Sequence, residues 1–244
     1  MVVVVTGAAT GIGAAVCDKV LSEGGCVVGL DLSPSEAAPS ERQLRFTCDV
    51  RDADLVAEAV AAGADRFGGV DALVNNAGVN AYFDAVSMSE QDWDSVMDVD
   101  LRAAWLCVRA VVPHLRRRGG GSIVNISSIH ARMTTTGMFP YAVAKAGVEG
   151  LTRSLALDLA RDGIRVNAVA PGWTRTQLVE EWFERQTDAT AAEDSVLRAH
   201  PLGRIAEPAE VASVVAFALG AASSAMTGSV LTVDCGLSSR FSVT

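Results

Sequence analysis

The sequence contains few aromatic residues: only 5% of its 244 residues are Phe, Trp or Tyr, although half are hydrophobic. The core of such a protein has to consist of Val, Ala, Leu and Ile side chains. This composition suits parallel strands that are buried on both faces and covered by alanine-rich helices. A chain of this length fits one large α/β domain, which we expect to span residues 1–244.

Positive charge is also scarce, with 20 basic against 29 acidic residues and a formal net charge of −9. One basic run, residues 116–118, leads into three glycines and is typical of the C-terminus of a helix. A nucleic-acid-binding surface needs a broader basic face, so we expect no nucleic-acid partner.

Patterns that would indicate disulfides, metals or membranes are missing as well. The five cysteines show no CxxC spacing, which favours buried, reduced thiols in a cytoplasmic protein. The three histidines lie far apart in the sequence, so we expect no metal site. The apolar start lacks the basic residues of a signal peptide, and no stretch reaches the roughly 18 apolar residues of a membrane span. We therefore expect cytoplasmic localisation and no membrane partner.

Short runs rich in β-branched residues alternate with stretches whose apolar residues recur every three or four positions. This alternation implies right-handed crossovers and predicts a doubly wound, parallel, seven-stranded sheet with helices on both faces. Residues 173–203 break the alternation, and so long an insertion is typical of a substrate loop or lid. The predicted strands are residues 2–5, 26–30, 44–48, 72–74, 122–126, 165–170 and 230–233.

A glycine-rich turn, residues 6–13, follows the first predicted strand and opens the first predicted helix. Gly7 permits a tight turn, Gly11 lets a pyrophosphate approach the backbone, and Gly13 lets the helix and strand pack closely. The phosphates then lie at the positive end of the helix. Glycines alone are a weak signal, but the strand–turn–helix context that the motif needs is present. The turn therefore predicts a dinucleotide site.

Asp31 ends the second predicted strand, where a carboxylate binds the ribose 2′-hydroxyl of NAD. A carboxylate there repels the 2′-phosphate of NADP, and residues 32–38 contain no Arg or Lys to attract it. The alternative is an ordinary turn or capping aspartate before Ser33. We favour NAD over NADP. Asp49 and Asn76, which follow the third and fourth predicted strands, lie where ligands gather in such sheets, and Asp49 is placed to meet the adenine.

Tyr141 and Lys145 are four residues apart and share one face of a predicted helix, and Ser128 follows the fifth predicted strand. A lysine ammonium near a tyrosine stabilises the phenolate, and a serine hydroxyl can hold a substrate oxygen against it. Alone, a Tyr-x-x-x-Lys pair is usually surface decoration. Together with the glycine turn and the serine, it predicts NAD(H)-dependent hydride transfer on an alcohol/carbonyl pair, with Tyr141 as general acid/base.

These motifs resemble those of the short-chain dehydrogenase/reductase family, and the likeness covers nearly the whole chain, including residues 75–78, 165–172, 201–204 and 233–236. The resemblance implies a Rossmann fold, Lys145 on the nicotinamide ribose and Ser128 orienting the substrate. It also implies a homotetramer, or at least a homodimer through the helix that carries Tyr141. The expected cofactor-binding residues are Thr6, Gly7, Gly11, Ile12, Gly13, Asp31, Asp49, Val50, Asn76, Ala77, Gly78, Tyr141, Lys145, Pro171, Gly172, Thr174 and Thr176.

Two positions depart from the family's pattern. Asp100 stands where the family usually has an asparagine that supports a proton relay through water to the lysine. An aspartate loses the amide donor and adds a negative charge that can tether Lys145. We expect an active enzyme with Asp100 in its catalytic set. Cys235 stands where the family usually has glycine, and we expect a packing adjustment there.

A small-molecule substrate above Tyr141 would be walled by residues after the strand ends and by the segment 173–203. Their mixture of aromatic faces, amides and an imidazole suits a sugar, although simple packing explains each residue equally well. The segment 128–145 resembles a branch of the family that oxidises aldoses at the anomeric carbon. The alternatives are a ketone or 3-ketoacyl reductase, or a non-catalytic member that binds NAD. The candidate substrate-binding residues are Asn80, His130, Met133, Met138, Phe139, Trp173, Gln177, Trp182 and Phe183.

Overall fold

A seven-stranded sheet forms the centre of the protein in a computed structural model that describes residues 1–33 and 40–240. The strands lie in the order β3-β2-β1-β4-β5-β6-β7, and every neighbouring pair is parallel. All seven predicted strands are present, so the prediction of a doubly wound parallel sheet is confirmed. The strands are β1 (Val2–Thr6), β2 (Cys26–Asp31), β3 (Gln43–Thr47), β4 (Ala72–Asn75), β5 (Gly121–Ile126), β6 (Ile164–Pro171) and β7 (Val230–Val233).

Helices connect the strands and cover both faces of the sheet. A π-helical turn, Asp98–Arg102, joins the third helix to the fourth. The fourth helix ends at Arg117, as the run of arginines before three glycines predicts. Within the described ranges the α-helices are α1 (Gly11–Ser22), α2 (Ala53–Phe67), α3 (Glu90–Met97), α4 (Ala103–Arg117), α5 (Tyr141–Asp158), α6 (Gln177–Glu184), α7 (Ala189–Ala199) and α8 (Pro208–Leu219).

The alternation of side chains along the strands produces two hydrophobic cores, one on each face of the sheet. In β1, Val2 and Val4 belong to the core that packs against α2, α4 and α5. Val3 and Val5 point the other way, into the core that contains side chains of α1 and α8. Because successive residues of a strand face opposite sides, a run of four valines serves both cores at once.

The segment 173–203 is more regular than the sequence indicates, because it contains the helices α6 and α7. Only Phe183 of these two helices is buried. The apolar residues of α6 do recur at helical spacing, but they extend over only eight residues, and α7 buries no side chain. The Arg175 guanidinium also pairs with both helices, at 2.6 Å from Glu180 of α6 and 2.7 Å from Glu193 of α7. Both helices follow β6, so they lie beside the carboxyl end of the sheet.

The five cysteines differ in how deeply they are buried. All five cysteines are free, with Cys26 and Cys235 half-buried rather than buried. Cys235 has a φ of +52°, a left-handed conformation that favours glycine, which accounts for the glycine usual at this position.

Among the described residues, no helix is long and apolar enough to cross a membrane, and no cluster of acidic, His or Cys side chains is arranged to hold a metal ion.

Candidate active site

A pocket of about 880 Å³ opens at the carboxyl ends of the strands, where an open α/β sheet binds its ligands. Most of the residues that the sequence assigns to cofactor or substrate line it. From the predicted set these are Gly7, Gly11, Ile12, Asp31, Asp49, Val50, Asn76, Ala77, Gly78, Asn80, Ser128, His130, Met138, Tyr141, Lys145, Pro171, Gly172, Trp173, Thr174, Thr176, Gln177 and Trp182.

The glycine turn has the close packing that the sequence predicts. Gly7 adopts a φ of +62°, and a Cβ added there would lie 2.8 Å from the Asn76 side-chain nitrogen. A Cβ on Gly13 would collide with the carbonyl oxygen of Gly7. Gly13 lies outside the pocket lining. Because it has no side chain, α1 can begin directly behind the turn. The free N–H groups of this helix end are suited to bind phosphate.

Thr6 and Asn76 hold the glycine turn in place, and Asn76 also lines the pocket. Asn76 Nδ2 donates hydrogen bonds to the carbonyl oxygens of Thr6 and Gly7, both at 3.0 Å. In return, Thr6 Oγ1 accepts from the backbone N–H groups of Asn76 and Ala77, at 2.9 and 3.0 Å. Thr6 is buried and lies outside the lining of the main pocket, and its cofactor contact stays a prediction.

Asp31 presents a fixed carboxylate at the end of β2. Its Oδ2 accepts from the backbone N–H of Ala9, and its Oδ1 accepts from the N–H of Ser33, both at 2.9 Å. Each carboxylate oxygen retains a further lone pair, so the group can still accept from a ribose hydroxyl. Residues 34–38, where the sequence contains no Arg or Lys, lie outside the described residues.

Asp49 lies two residues beyond the end of β3 and faces the same pocket. Its carboxylate pairs with the Arg51 guanidinium, and the shortest distance, between Oδ2 and the Arg51 nitrogen, is 2.6 Å. Hydrogen bonds from Arg51 hold the pKa of Asp49 below its usual range. The side chain is therefore an ionised, oriented acceptor.

The strand end of β5 and the start of α5 bring Ser128, Tyr141 and Lys145 together on one wall. Ser128 is buried directly after β5, and its Oγ accepts from the His130 N–H at 3.2 Å. Tyr141 is the first residue of α5, and Lys145 follows one turn later. The Lys145 Nζ lies 5.4 Å from the centre of the Tyr141 ring and donates to the Ile126 carbonyl oxygen at 3.4 Å.

Asp100 reaches the site from behind, out of the π-helical turn. Its side chain is completely buried, and Oδ1 accepts from the Val79 backbone N–H at 2.7 Å. Oδ2 lies 3.9 Å from Lys145 Nζ, so the structure places the Asp100 carboxyl beside the lysine, as the sequence predicts. Burial raises the pKa of this carboxyl, and the Lys145 charge and the Val79 N–H oppose the rise. Asp100 does not line the main pocket, and the pocket residue that its carboxyl approaches is Lys145.

His130 faces the pocket beside Tyr141, with 6.0 Å between the two ring centroids. Its Nδ1 is hydrogen bonded to Thr134 Oγ1 at 3.1 Å. Burial lowers the pKa of this imidazole. The neutral ring that results can donate or accept a hydrogen bond at its other nitrogen.

The predicted aromatic wall is only partly correct. Trp173 and Trp182 line the pocket and pack edge to face, with ring centroids 4.9 Å apart. Phe183 is buried beneath them and stacks on Trp173 at 5.8 Å, so it supports the wall without lining it. Phe139 packs against Trp93 instead. The predicted substrate residue Met133 is an exposed side chain outside the pocket lining.

Sequence reasoning missed Tyr82, which lines the pocket together with Tyr141. The N–H of its neighbour Phe83 donates to the carbonyl oxygen of Phe139 at 3.1 Å, which places Tyr82 beside the start of α5. The Tyr82 hydroxyl accepts from Asn80 Nδ2 at 3.2 Å. Burial and the neighbouring Tyr141 raise the pKa of Tyr82. The one available signal was that the whole chain contains only two tyrosines.

The parallel sheet, the glycine turn and the Tyr141–Lys145 helix together define a dinucleotide-dependent oxidoreductase. Residues 7–238 match the sequence model of a family described as enoyl-(acyl carrier protein) reductase. The chain belongs to this family of short-chain dehydrogenases/reductases. This membership confirms the resemblance that the motifs indicate.

Relatives and a solved structure resemble the chain over almost its full length. The short-chain reductase protein NovJ of Streptomyces niveus is 38% identical, over 96% of this chain and 93% of its own. The 3-oxoacyl-[acyl-carrier-protein] reductase FabG of Thermotoga maritima is 37% identical, over 97% of both chains. The ligand-free aldohexose dehydrogenase of Thermoplasma acidophilum superposes with a TM-score of 0.94 at 36% identity, covering 100% of this chain and 96% of its own.

Proposed function

We propose that the protein is an NAD(H)-dependent oxidoreductase that interconverts an alcohol and a carbonyl compound, with Tyr141 as general acid/base. The observation that carries this proposal is the shared wall of Ser128, Tyr141 and Lys145, in a pocket that also contains the glycine turn. Each group has a physical task in proton exchange with a substrate oxygen. A purely structural nucleotide site needs none of the three.

The residues present fit a dinucleotide. The N-terminus of α1 and the turn at Gly7 and Gly11 would hold the pyrophosphate, since neither glycine presents a side chain to obstruct it. Asp31 would accept from the adenosine ribose, and its charge disfavours a 2′-phosphate, which supports NAD over NADP. When bound, the nicotinamide supplies or accepts the hydride.

The chain's own groups would handle the proton. Tyr141 takes the hydroxyl proton of an alcohol during oxidation and returns it to the carbonyl oxygen during reduction. Lys145 stabilises the tyrosinate through its positive charge, which lies beside the ring. The Ser128 hydroxyl donates to the substrate oxygen, because its own Oγ already accepts from the His130 N–H. These roles give a complete proton path at the substrate oxygen.

We propose a neutral, hydroxylated substrate such as an aldose oxidised at the anomeric carbon. Among the described residues, the Asp, Glu, Lys and Arg side chains that line the pocket are Asp31, Asp49, Arg51 and Lys145. All four lie in the part assigned to the cofactor or at its junction with the substrate. Elsewhere the lining supplies amides, hydroxyls, an imidazole and a tryptophan face, a mixture suited to a sugar. The superposition with an aldohexose dehydrogenase supports this choice.

The second candidate function is reduction of a ketone or a 3-ketoacyl group. It is favoured by the 37% identity to the 3-oxoacyl-[acyl-carrier-protein] reductase of Thermotoga maritima. The first candidate function oxidises an aldose and the second reduces a ketone or 3-ketoacyl group. The fold is compatible with both reactions.

The test is absorbance at 340 nm with NAD⁺ and NADP⁺ against aldoses, polyols and secondary alcohols, and with NADH and NADPH against ketones and 3-ketoacyl thioesters. We expect NAD⁺-dependent oxidation of one or a few sugars, reduced at least about 100-fold by Tyr141→Phe. Reduction of ketones with NADPH alone would reject the sugar assignment and the NAD assignment. Binding of NAD without turnover anywhere in the panel would favour the non-catalytic alternative.

We also propose a cytoplasmic homo-oligomer, a homotetramer or at least a homodimer built through α4 and α5. Trp105 and Val143 on these helices are 42% and 41% exposed, and Leu157 is 79% exposed. Apolar side chains exposed on two helices that cover the same face of the sheet favour burial against a second copy. Light scattering after gel filtration measures the mass directly, and a monomer would reject this part of the proposal.

A further inference from the structure

The loop that connects β5 to α5, residues 127–140, contributes to the wall of the main pocket and leads directly to Tyr141. On this β5–α5 loop, His130, Thr135 and Thr136 line the pocket. The loop therefore brings an imidazole and two threonines beside the groups proposed to handle the proton. Its position decides where the polar groups of a substrate can find partners.

The middle of this loop lacks an apolar anchor, because all six residues 132–137 are exposed. The backbone N–H groups of Arg132 and Met133 both donate to the Ile129 carbonyl oxygen at 3.0 Å, so these bonds stay within the loop. Arg132 is also the single Asp, Glu, Lys or Arg residue of the loop. Its guanidinium is therefore the group from which to look for an attachment to the rest of the protein.

An ion pair joins this loop to α5. Arg132 Nε donates to Glu149 Oε2 at 3.0 Å. The Glu149 side chain is only 6% exposed, whereas that of Arg132 is 58% exposed. Glu149 follows Lys145 by four residues, just as Lys145 follows Tyr141, so the three lie in succession along one side of the helix. The loop is thus attached to the same element that carries the proposed acid/base.

Packing alone does not explain a buried carboxylate at this position. Glu149 Oε1 has no hydrogen-bond partner among the described residues, and the Arg153 guanidinium lies 3.9 Å from Oε2, beyond hydrogen-bond length. Burial of an incompletely paired carboxylate costs desolvation energy, so an apolar residue of similar volume would often serve stability as well. A buried ion pair does define one arrangement of the two segments that it joins. These contacts therefore favour a role in positioning over a role in stability.

We propose that Glu149 is a positioning residue that holds the β5–α5 loop through Arg132 and thereby determines how the polar side chains of the loop meet the substrate. The connection continues from Arg132 along the backbone to His130, whose Nδ1 is hydrogen bonded to Thr134 Oγ1 at 3.1 Å. The attachment of the loop stands on these contacts alone, and its effect on substrate affinity rests on the proposed function.

The first experiment compares the parent with Glu149→Gln and with the matched control Arg153→Gln, which removes the other guanidinium near the same carboxylate. Hydrogen–deuterium exchange is read by mass spectrometry on peptides that cover residues 129–138. We expect exchange there to be about 3- to 10-fold faster in Glu149→Gln and unchanged in the control. Parent exchange in Glu149→Gln, or an equal change in Arg153→Gln, would overturn the proposal whether or not the protein turns over any substrate.

The second experiment measures kcat and KM for the sugar or alcohol that the protein oxidises. We expect Glu149→Gln to raise KM for this substrate about 3- to 10-fold, with kcat within about twofold because Tyr141 and Lys145 are retained. The double variant with Arg132→Gln should raise KM no further than either single variant, since both changes remove one contact. The KM for NAD⁺ should stay at the parent value.

A fall in kcat at unchanged KM would show that Glu149 acts on Lys145 and not on the loop, and it would overturn the proposal. Additive effects of the two substitutions on KM would do the same, because they would separate Arg132 from Glu149. If Glu149→Gln fails to fold, Arg132→Gln, at an exposed position, replaces it in both experiments with the same expected results.

Discussion

The carboxylate of Asp31 accepts a hydrogen bond from the backbone N–H of Ala9, at 2.9 Å. This bond ties the end of β2 to the glycine turn that follows β1. Because the other oxygen accepts from Ser33 at 2.9 Å, the carboxylate is oriented before any ligand arrives. One side chain thus ties down the glycine turn and also faces the pocket in which we propose that the cofactor ribose binds.

Substitution of Asp31 should therefore change cofactor preference and weaken the turn together. For Asp31→Ser we expect kcat/KM with NAD⁺ to fall about 10- to 100-fold, since a hydrogen bond to a charged group contributes about 1.5–3 kcal/mol. Activity with NADP⁺ should rise, because the charge that repels its 2′-phosphate is gone. Asp18→Asn, an exposed position on α1, serves as the control and should change neither value. An unchanged NAD⁺/NADP⁺ ratio in Asp31→Ser would contradict the assigned role.

Gly13 and Gly150 provide a matched pair of glycine-to-alanine substitutions in helices. A Cβ on Gly13 collides with the Gly7 carbonyl oxygen, whereas at Gly150 the nearest atom is the end of a flexible arginine at 4.0 Å. We expect Gly13→Ala to lower the free energy of unfolding by about 1–3 kcal/mol and to weaken NAD binding. In the single chain Gly150→Ala should raise it by about 0.5–1 kcal/mol, and in the proposed oligomer, where Gly150 shares the α5 face of Val143 and Leu157, we expect the added methyl group to reduce that gain. Urea denaturation measures both, and equal effects would show that the close contact at Gly13 is relaxed.

Tyr82 should contribute to the recognition of hydroxylated substrates. For Tyr82→Phe we expect KM for a sugar substrate to rise about 5- to 10-fold, the loss of one hydrogen bond of about 1 kcal/mol. The kcat should stay within about twofold, because Tyr141 and Lys145 are untouched. A secondary alcohol without further hydroxyls is the control substrate and should show no KM change. If both substrates lose affinity equally, the hydroxyl acts on the shape of the loop and not on recognition.

His130 should make the stability of the protein depend on pH. Burial lowers the pKa of the folded-state imidazole below its ordinary value of 6.5. As the pH falls through 6.5, the unfolded chain therefore takes up a proton that the folded chain still resists, and the free energy of unfolding decreases. One proton limits this slope to about 1.4 kcal/mol per pH unit.

Urea denaturation between pH 5 and 8 tests this dependence. His130→Gln should show a shallower slope than the parent on the acidic side. Thr134→Ala removes the hydrogen bond to the imidazole but keeps the titrating group, so it should retain the slope. Identical slopes in His130→Gln and the parent would assign the dependence to other groups.

The strands and the glycine turn were predictable because they depend on local sequence. A valine-rich run such as residues 2–5 indicates a buried strand in a chain with so few aromatic residues. The motif itself shows why glycine is needed at Gly7, for the tight turn, and at Gly13, for close packing of the helix on the strand. The pairing of Tyr141 with Lys145 was predictable for the same reason, since helical periodicity fixes which residues share a face.

The other parts of the site depend on contacts between segments that are distant in sequence. A backbone hydrogen bond between Phe83 and Phe139 places the neighbouring Tyr82 at the pocket. No local sequence pattern indicates that bond. The helices α6 and α7 escaped prediction because the apolar pattern of α6 spans only eight residues and α7 buries no side chain. Phe139 was assigned to the substrate wall from its position beside Tyr141, but Trp93 supplies its partner.

The strand order also determines when, during synthesis, β1 can pair with both of its neighbouring strands. β1 pairs with β2 on one edge and with β4 on the other, and β4 begins only at Ala72. An emerging chain therefore carries a valine-rich strand with one open edge until β4 has left the ribosome, and such edges invite pairing with other chains. We expect arrested chains that stop within α2 to be captured by chaperones more strongly than chains extended past β4, as crosslinking on stalled ribosomes would measure. Because β1 lies in the middle of the sheet, the first segment to be synthesised is also the one whose strand edge stays unpaired longest.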